Sequence, residues 1–211
     1  MKTLALDQLL RTSARKAEVI SFAGGLPASR TFPRSGLAQA ASHAILEMQE
    51  ALQYDWPEGR RTLREQVAAR LQARGADVSA DEVIITNGAQ DALGLVLELL
   101  APHSIQVDPE TYPGALEMFR RHRSTPTVKP APVRYCMPAL QNPRGYTASP
   151  EQRAEMLQAQ VIIEDDAYAE LLFESEWFWK PLLYQLSYAP IGSVICYSLL
   201  VIRQPHSRHP D

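Results

Sequence analysis

The chain has 211 residues, of which 45% are hydrophobic and 21% are charged, and its formal net charge is −3. These values describe a globular protein, and they exclude a collagen, a coiled coil and a strongly basic nucleic-acid-binding protein. No apolar run reaches the ~18–20 residues that span a bilayer, and the N-terminus lacks the continuous apolar stretch of a secretory signal. We therefore expect a cytoplasmic protein that binds neither membrane nor nucleic acid.

The first part of the chain is predicted to be helical after an irregular segment. Residues 20–33 contain two glycines and two prolines and therefore predict a loop. Apolar residues recur at helical spacing over residues 37–52 and again over residues 60–74, where charged residues lie between them. Gly75 follows the second of these helices, at the position where a glycine most readily ends a helix.

From residue 83 onward, short apolar runs alternate with segments of helical periodicity. Strands are predicted at residues 83–86, 104–108, 133–137, 161–165 and 193–202. Helices are predicted at residues 89–100, at residues 113–122 and, with Ser149 as N-cap, through residue 158. The alternation predicts an α/β fold with a mostly parallel sheet and flanking helices, in which ligands bind beyond the carboxyl ends of the strands.

Polar or aromatic residues follow the first four of these strands, and each group allows a functional and a structural interpretation. The TNGAQ segment at residues 86–90 either offers a helix N-terminus to an anion or forms an ordinary tight turn. Tyr112 either stacks on a planar ligand or packs in the core, and Asn142, ahead of a proline, either donates to a phenolate-like oxygen or belongs to a turn. The acids at residues 164–166 either cap a turn or hold a cation, a metal or a protonated ring.

A metal site is not expected from the remaining ligand-type residues. The five histidines show no spacing that would complete such a site. The two cysteines, Cys136 and Cys196, lie in strand-like apolar surroundings, without the spacing of a disulfide framework or a thiolate metal site. They are expected to be buried, reduced thiols.

Six segments, taken in their order along the chain, resemble the class I/II aminotransferase family of fold-type I pyridoxal-phosphate-dependent enzymes. The resemblance is to the branch with 2-aminoadipate aminotransferases, multi-substrate aminotransferases and the aminotransferase-like domains of MocR regulators. The segments are ISFAGGLP (residues 20–27), LQYDWPEGRRTLRE (52–65), VIITNGAQDAL (83–93), VDPETYPGAL (107–116), QNPRG (141–145) and IIEDDAYAEL (162–171). The resemblance implies a pyridoxal 5′-phosphate cofactor, amino acid and 2-oxo acid substrates, and a homodimer.

The resemblance also implies which residues hold the phosphate of the cofactor. Gly88, Ala89 and Gln90 match the turn that binds it, and Tyr54 matches a tyrosine that reaches the phosphate of the neighbouring subunit. Ala89 stands where a hydroxyl residue is common in the family, so it keeps the backbone N–H but loses a side-chain donor. A phosphate at a helix N-terminus agrees with the charge expected there.

Four further residues match the positions that hold the cofactor ring. Tyr112 matches the ring stacked near the pyridine, and Asn142 and Tyr168 match the two contacts to its 3′-oxygen. Asp165 matches the aspartate that pairs with the pyridinium nitrogen. A carboxylate beside that nitrogen keeps it protonated, and the ring can then accept electrons from the substrate.

The resemblance implies a division of the chain into two parts. Residues 1–35 form an N-terminal arm and a substrate-side loop, in which Gly24 and Gly25 line the substrate. Residues 36–211 form part of a pyridoxal-phosphate-binding large domain of the aminotransferase type. The C-terminal small domain of the family is expected to be absent.

The sequence departs from the family at the lysine that forms a Schiff base with the cofactor. Family members place it on a loop after the next strand, where this chain has SLLVIRQPHSRHPD. The chain's four lysines match no such position; they are Lys2, Lys16, Lys129 and Lys180. Residues 120–132 also leave little room for the strand, loop and helix of the family. We therefore expect a truncated, internally shortened aminotransferase from a decayed or frameshifted gene, without a catalytic lysine and without transaminase activity.

A non-catalytic function is the alternative to an enzyme. A chain with this fold and no catalytic lysine can bind pyridoxal phosphate without catalysis, or act as a regulatory or partner protein. The sequence thus predicts a member of an enzyme family, with a non-catalytic function of the same fold as the alternative.

Overall fold

The computed structural model describes residues 28–171 and two short strands at residues 195–196 and 200–203. The chain divides into two units, Met1–Tyr54 and Asp55–Asp211. In the first unit, helix α1 covers Arg34–Glu47 and lies between the 3₁₀ turns Ser29–Thr31 and Gln49–Leu52. The helix predicted over residues 37–52 is therefore present but ends at Glu47. The predicted division into residues 1–35 and 36–211 stays a prediction.

The helices described in the second unit lie where the sequence predicts them. They are α2 (Arg61–Ala73), α3 (Ala89–Leu100), α4 (Pro113–Arg121) and α5 (Pro150–Met156). Gly75 ends α2 as predicted, because its φ of +92° lies in the left-handed region and its N–H donates to Gln72 O at 2.9 Å. Ser149 Oγ accepts from Gln152 N at 3.3 Å and caps α5. No helix in the described ranges is long and apolar enough to cross a bilayer.

One sheet joins the strands described in the second unit. The strands are β1 (Val83–Ile84), β2 (Ser104–Gln106), β3 (Thr125–Thr127), β4 (Val133–Cys136), β5 (Val161–Asp165), β6 (Ile195–Cys196) and β7 (Leu200–Arg203). Their order is β1-β6-β7-β5-β4-β2-β3. Only β7 runs antiparallel to its neighbours among these strands. The predicted mostly parallel sheet with flanking helices is confirmed.

The main core lies between this sheet and helices α3 and α4. Apolar side chains of α3 pack against the buried faces of β2, β4 and β5. At the centre, the ring of Phe119 on α4 meets the ring of Tyr135 on β4 edge-on, with ring centroids 5.5 Å apart. Burial on both faces explains why these strands read as continuous apolar runs in the sequence.

Two sequence predictions about strands are corrected by the structure. Residues 120–132 keep a strand, since β3 pairs with β2 and places Pro126 opposite Ile105. A proline is tolerated there because β3 is an edge strand, and its outer N–H positions need no partner. The single strand predicted at residues 193–202 is instead two strands, β6 and β7, that pair antiparallel with each other.

Candidate functional site

The residue groups that follow strands β1, β2, β4 and β5 lie at one edge of the sheet. These four strands run in the same direction, because β1 is parallel to β6 and β7 is antiparallel to both β6 and β5. Their carboxyl ends therefore meet at the same edge. Hydrogen bonds in this region join residues that are far apart in sequence.

The first group is the turn from β1 into helix α3. Gly88 has φ +101° and ψ 173°, a conformation that is open to glycine almost alone. No described side chain caps the N-terminus of α3. The helix is 12 residues long, and its first backbone N–H groups and the positive end of its dipole are available to an anion. Ala89 contributes backbone only, as the sequence indicated.

The second group brings Gln90 and Tyr112 together. Gln90 Nε2 donates to Tyr112 Oη at 3.4 Å, which links the start of α3 to the loop after β2. Tyr112 is half-buried and lies directly ahead of α4. The ring folds back over Gly114, where an added Cβ would stand 2.5 Å from Tyr112 Cζ. Gly114 thus makes the room that this ring position requires.

The third group joins the loop after β4 to the end of β5. Asn142 Nδ2 donates to Tyr168 Oη at 3.5 Å. The neighbouring Gln141 is buried; it donates through Nε2 to Glu110 O at 2.6 Å and accepts at Oε1 from Arg144 N at 3.0 Å. These two bonds fix the loop in place. The two residues predicted to share one ligand oxygen, Asn142 and Tyr168, are thus neighbours.

The fourth group contains Asp165 at the end of β5. Its side chain is buried, and Tyr135 Oη on β4 donates to its Oδ2 at 2.6 Å. Its Oδ1 has no hydrogen-bond partner among the described residues. Burial raises the pKa of Asp165, while the hydrogen bonds from Tyr135 and from the N–H of Ala167 lower it. The group is therefore a buried carboxyl with one free oxygen.

The three acids at residues 164–166 do not form one cluster. Asp165 shares a strand face with Ile163 and meets the main core, whereas Glu164 lies on the opposite face in register with Cys136. Asp166 pairs with Arg74 Nη2 at 2.5 Å. Among the described residues, no group of three or more His, Cys, Asp or Glu could hold a metal ion. Asp165 and Asp166 each keep one carboxyl oxygen without a hydrogen-bond partner among the described residues, but the other oxygen of Asp166 is paired with the Arg74 cation.

The other residues named from the sequence are not part of these four groups. Tyr54 belongs to the first unit and is fully exposed, with its own N–H donating to Gln53 Oε1 at 2.9 Å. Gly24 and Gly25 lie outside the described residues, as do Lys2, Lys16 and Lys180. Lys129 is exposed in the loop after β3, and its N–H donates to Thr127 Oγ1 at 3.1 Å.

Tyr135 and Gly114 contribute to the site and were not predicted from the sequence. The available signal for Tyr135 was a phenol between Val133 and Met137 on the apolar face of a strand, since a buried hydroxyl needs a partner. For Gly114 the signal was a glycine in the first turn of a helix, where it lowers helix stability. Neither signal names the partner residue.

The chain has curated relatives that match most of its length, although no family model matches it. A 2-aminoadipate transaminase from Thermus thermophilus is 34% identical over 195 residues, which are 80% of this chain and 48% of the relative. The Escherichia coli protein YdcR, described as an uncharacterized HTH-type transcriptional regulator, is 32% identical over 86% of this chain and 44% of its own length. The chain spans about half the length of the curated relatives it matches.

Solved structures agree with these relatives. The α-aminoadipate aminotransferase LysN from Thermus thermophilus, crystallised with N-(5′-phosphopyridoxyl)-L-leucine, superposes with a TM-score of 0.75 and 26% identity over 95% of this chain and 58% of its own. Kynurenine aminotransferase from Pyrococcus horikoshii superposes with a TM-score of 0.75 and 25% identity, over 97% of this chain and 59% of its own. The chain is similar to fold-type I aminotransferases along most of its length. The cofactor of this family is pyridoxal 5′-phosphate.

Two features of the site fit that cofactor. The buried Oδ1 of Asp165, which lacks a donor among the described residues, suits a protonated ring nitrogen. The start of α3 suits a phosphate, because its N-cap residue Gly88 carries no side chain and has a backbone conformation that other residues rarely adopt. An added Cβ at Gly88 would meet nothing within 4 Å, so the space beside the turn is open.

Proposed function

We propose that the second unit of this chain binds pyridoxal 5′-phosphate. We further propose that an intact relative of this chain transfers an amino group between an amino acid and a 2-oxo acid. The observation that carries the proposal is the buried carboxyl of Asp165, with one oxygen held by Tyr135 and the other without a described partner. A buried carboxyl with an unpaired oxygen is costly, and a cationic N–H of a ligand compensates that cost.

Different residues of the site hold the phosphate and the ring of the cofactor. In this proposal the N–H groups at Gly88, Ala89 and Gln90 bind the phosphate, which anchors one end of the molecule. Tyr112, linked to Gln90, lies against the ring face. When bound, pyridoxal phosphate supplies an electron-accepting ring for reactions at the α-carbon of an amino acid.

Three side chains hold charge and protons at the ring edge. Asp165 accepts from the ring nitrogen and keeps a proton on it. Asn142 and Tyr168, which contact each other at 3.5 Å, donate to the 3′-oxygen. These donors stabilise negative charge on that oxygen while Asp165 stabilises positive charge on the nitrogen, so the site polarises the ring along one direction.

The chain itself is proposed to hold the cofactor without a covalent bond. None of its four lysines matches the family position, and Lys129 is exposed in the loop after β3. Transfer of an amino group would need a lysine to move protons at the substrate carbon. We therefore propose that the 211-residue chain binds the cofactor and does not transaminate.

The proposal extends to assembly and location. A homodimer in which Tyr54 reaches the phosphate of the neighbouring subunit would give this fully exposed ring a partner. Gly24 and Gly25 would line the substrate side, with residues 1–35 as an arm and residues 36–211 as the cofactor-binding part. The cytoplasm is the proposed location, because its reducing conditions suit the buried thiol of Cys136, which forms no disulfide.

Binding can be tested with pyridoxamine 5′-phosphate, which lacks the aldehyde that reacts with surface lysines. We expect saturable binding to the full chain by fluorescence or calorimetry, and a loss of about tenfold in affinity in Asp165→Asn, because a charge-assisted bond becomes a neutral one. Glu164→Gln is the matched control on the opposite strand face and should change the affinity less than twofold. The absence of saturable binding, or equal losses in the two variants, would refute the proposal.

A further inference from the structure

Tyr135 places a phenol in the middle of a fully buried strand. All four residues of β4 are buried, and the Tyr135 side chain is 1% exposed. A hydroxyl in such surroundings is unfavourable without a partner, and a phenylalanine would fill the same space without that cost. The hydroxyl therefore needs an explanation beyond core packing.

The position of this hydroxyl is closely controlled. Tyr135 is in register with Ile163 on β5, and its ring is held edge-on by Phe119, which is fully buried. The hydroxyl donates to Oδ2 of Asp165, 30 residues further along the chain, at 2.6 Å. Both rings and both strands are parts of the main core, so the donor cannot move without disturbing it.

The two carboxyl oxygens of Asp165 differ in their hydrogen bonding. Oδ2 is occupied by Tyr135, whereas Oδ1 has no partner among the described residues. We propose that Tyr135 is a positioning residue that holds the Asp165 carboxylate and reserves its second oxygen for the ring nitrogen of a pyridoxal-type ligand. Tyr135 itself touches no ligand in this proposal, which rests on the cofactor binding proposed above.

The charges around the pair support this role. The Tyr135 hydrogen bond lowers the pKa of Asp165 against the raising effect of burial, and so favours the carboxylate. Burial, together with Asp165, raises the pKa of Tyr135 well above its usual value, so the phenol remains a donor at neutral pH. Cys136 and Tyr112 act on Tyr135 in the same direction, and Asp166 is the other acid that interacts with Asp165.

The test compares two ligands that differ only at the ring nitrogen. Pyridoxal 5′-phosphate can be protonated there, whereas its 1-deaza analogue, with carbon at that position, cannot. We expect the full chain to prefer pyridoxal 5′-phosphate, and Tyr135→Phe to reduce that preference about tenfold, because a hydrogen bond to a charged group is lost. Tyr146→Phe is the matched control, since Tyr146 Oη donates to a different carboxylate, Asp108 Oδ2, at 3.2 Å.

The outcomes separate this inference from the proposed function. If the unsubstituted chain binds neither ligand, the proposed function fails and the inference falls with it. If the chain prefers pyridoxal 5′-phosphate and Tyr135→Phe keeps the same preference, only the inference fails. Equal weakening of both ligands would show a purely structural role for Tyr135 and would also overturn the inference.

A second measurement needs no ligand. In a ¹³C NMR titration of the unloaded chain, Tyr135→Phe should raise the pKa of Asp165, and Tyr146→Phe should leave it unchanged. If Tyr135→Phe does not fold, 3-fluorotyrosine introduced at position 135 keeps the ring and makes the hydroxyl a stronger donor. It should lower the pKa of Asp165 and increase the preference for pyridoxal 5′-phosphate; no change in either would refute the role.

Discussion

Replacing Arg74 by methionine removes the cation that faces a buried acid next to the site. Arg74 Nη2 and Asp166 Oδ2 are 2.5 Å apart, and the two side chains are only 6% and 4% exposed. The pair joins the end of α2 to the residue after β5, 92 residues along the chain. Methionine has a similar length, so the substitution removes the charge with little change in packing.

The size of the effect follows from the titration of Asp166. Burial raises its pKa to about 6, although Arg74 and Arg153 lower it. Because this folded-state value lies above the unfolded value of 3.8, Asp166 contributes stability that is complete below about pH 4 and is lost as the pH rises through 6. Without Arg74 the pKa of Asp166 rises further. Each additional pKa unit adds about 1.4 kcal/mol to the loss of unfolding free energy above pH 6.

We therefore expect a pH-dependent loss of unfolding free energy in Arg74→Met. The loss should be small at pH 5, where Asp166 is largely protonated, and about 3 kcal/mol at pH 8, where one partner of a buried pair is missing. Urea unfolding at both pH values, followed by circular dichroism, measures it. Arg70→Met is the control, because Arg70 on the same helix pairs with Glu170 at the surface and should cost less than about 1 kcal/mol. Losses that are equal at both pH values, or no larger than the control's, would refute the reasoning.

Three further expectations concern other parts of the chain. Gly114→Ala should displace the Tyr112 ring, because its Cζ would stand 2.5 Å from the new Cβ, and should lower the affinity for pyridoxamine 5′-phosphate several-fold. Gly36→Ala is the control, since an added Cβ there meets nothing within 4 Å, and it should leave the affinity unchanged. Equal affinities of the two variants would contradict the expectation. Ser149→Ala should cost about 1 kcal/mol in urea unfolding through loss of the α5 cap, and Ser149→Thr only a few tenths, whereas equal losses would exclude a cap effect. Borohydride treatment of the chain with pyridoxal 5′-phosphate should leave no single lysine modified stoichiometrically by mass spectrometry; such an adduct would contradict non-covalent binding.

The elements that the sequence predicted best are those with strong local signals. Helix α3 and strand β5 begin and end at the predicted residues, because an amphipathic run after Gly88 and an apolar run before Asp165 mark their limits. Strand β3 was missed, because its Thr-Pro-Thr sequence has no apolar alternation. Its strand conformation comes from pairing with β2 at the sheet edge, a contact that is not local.

The sequence named candidate site residues one by one, but not the contacts between them. The order of the six resembling segments pointed to Asp165, Asn142 and Tyr168 as parts of one site. Nothing in the sequence linked Asp165 to Tyr135, or placed Tyr112 over Gly114, since these contacts depend on strand register and on the room left by a missing side chain.

The sequence by itself determined the resemblance to the aminotransferase family and the alternation of strands and helices, and it predicted a chain without the family lysine. These follow from residue types, their order and their spacing, which are properties of the chain alone. The tertiary structure decided the roles of three consecutive acids, because alternation along β5 and pairing with its neighbours send them in different directions. Asp165 accepts a hydrogen bond from Tyr135 and Asp166 pairs with Arg74, and each of the two keeps one oxygen without a hydrogen-bond partner among the described residues.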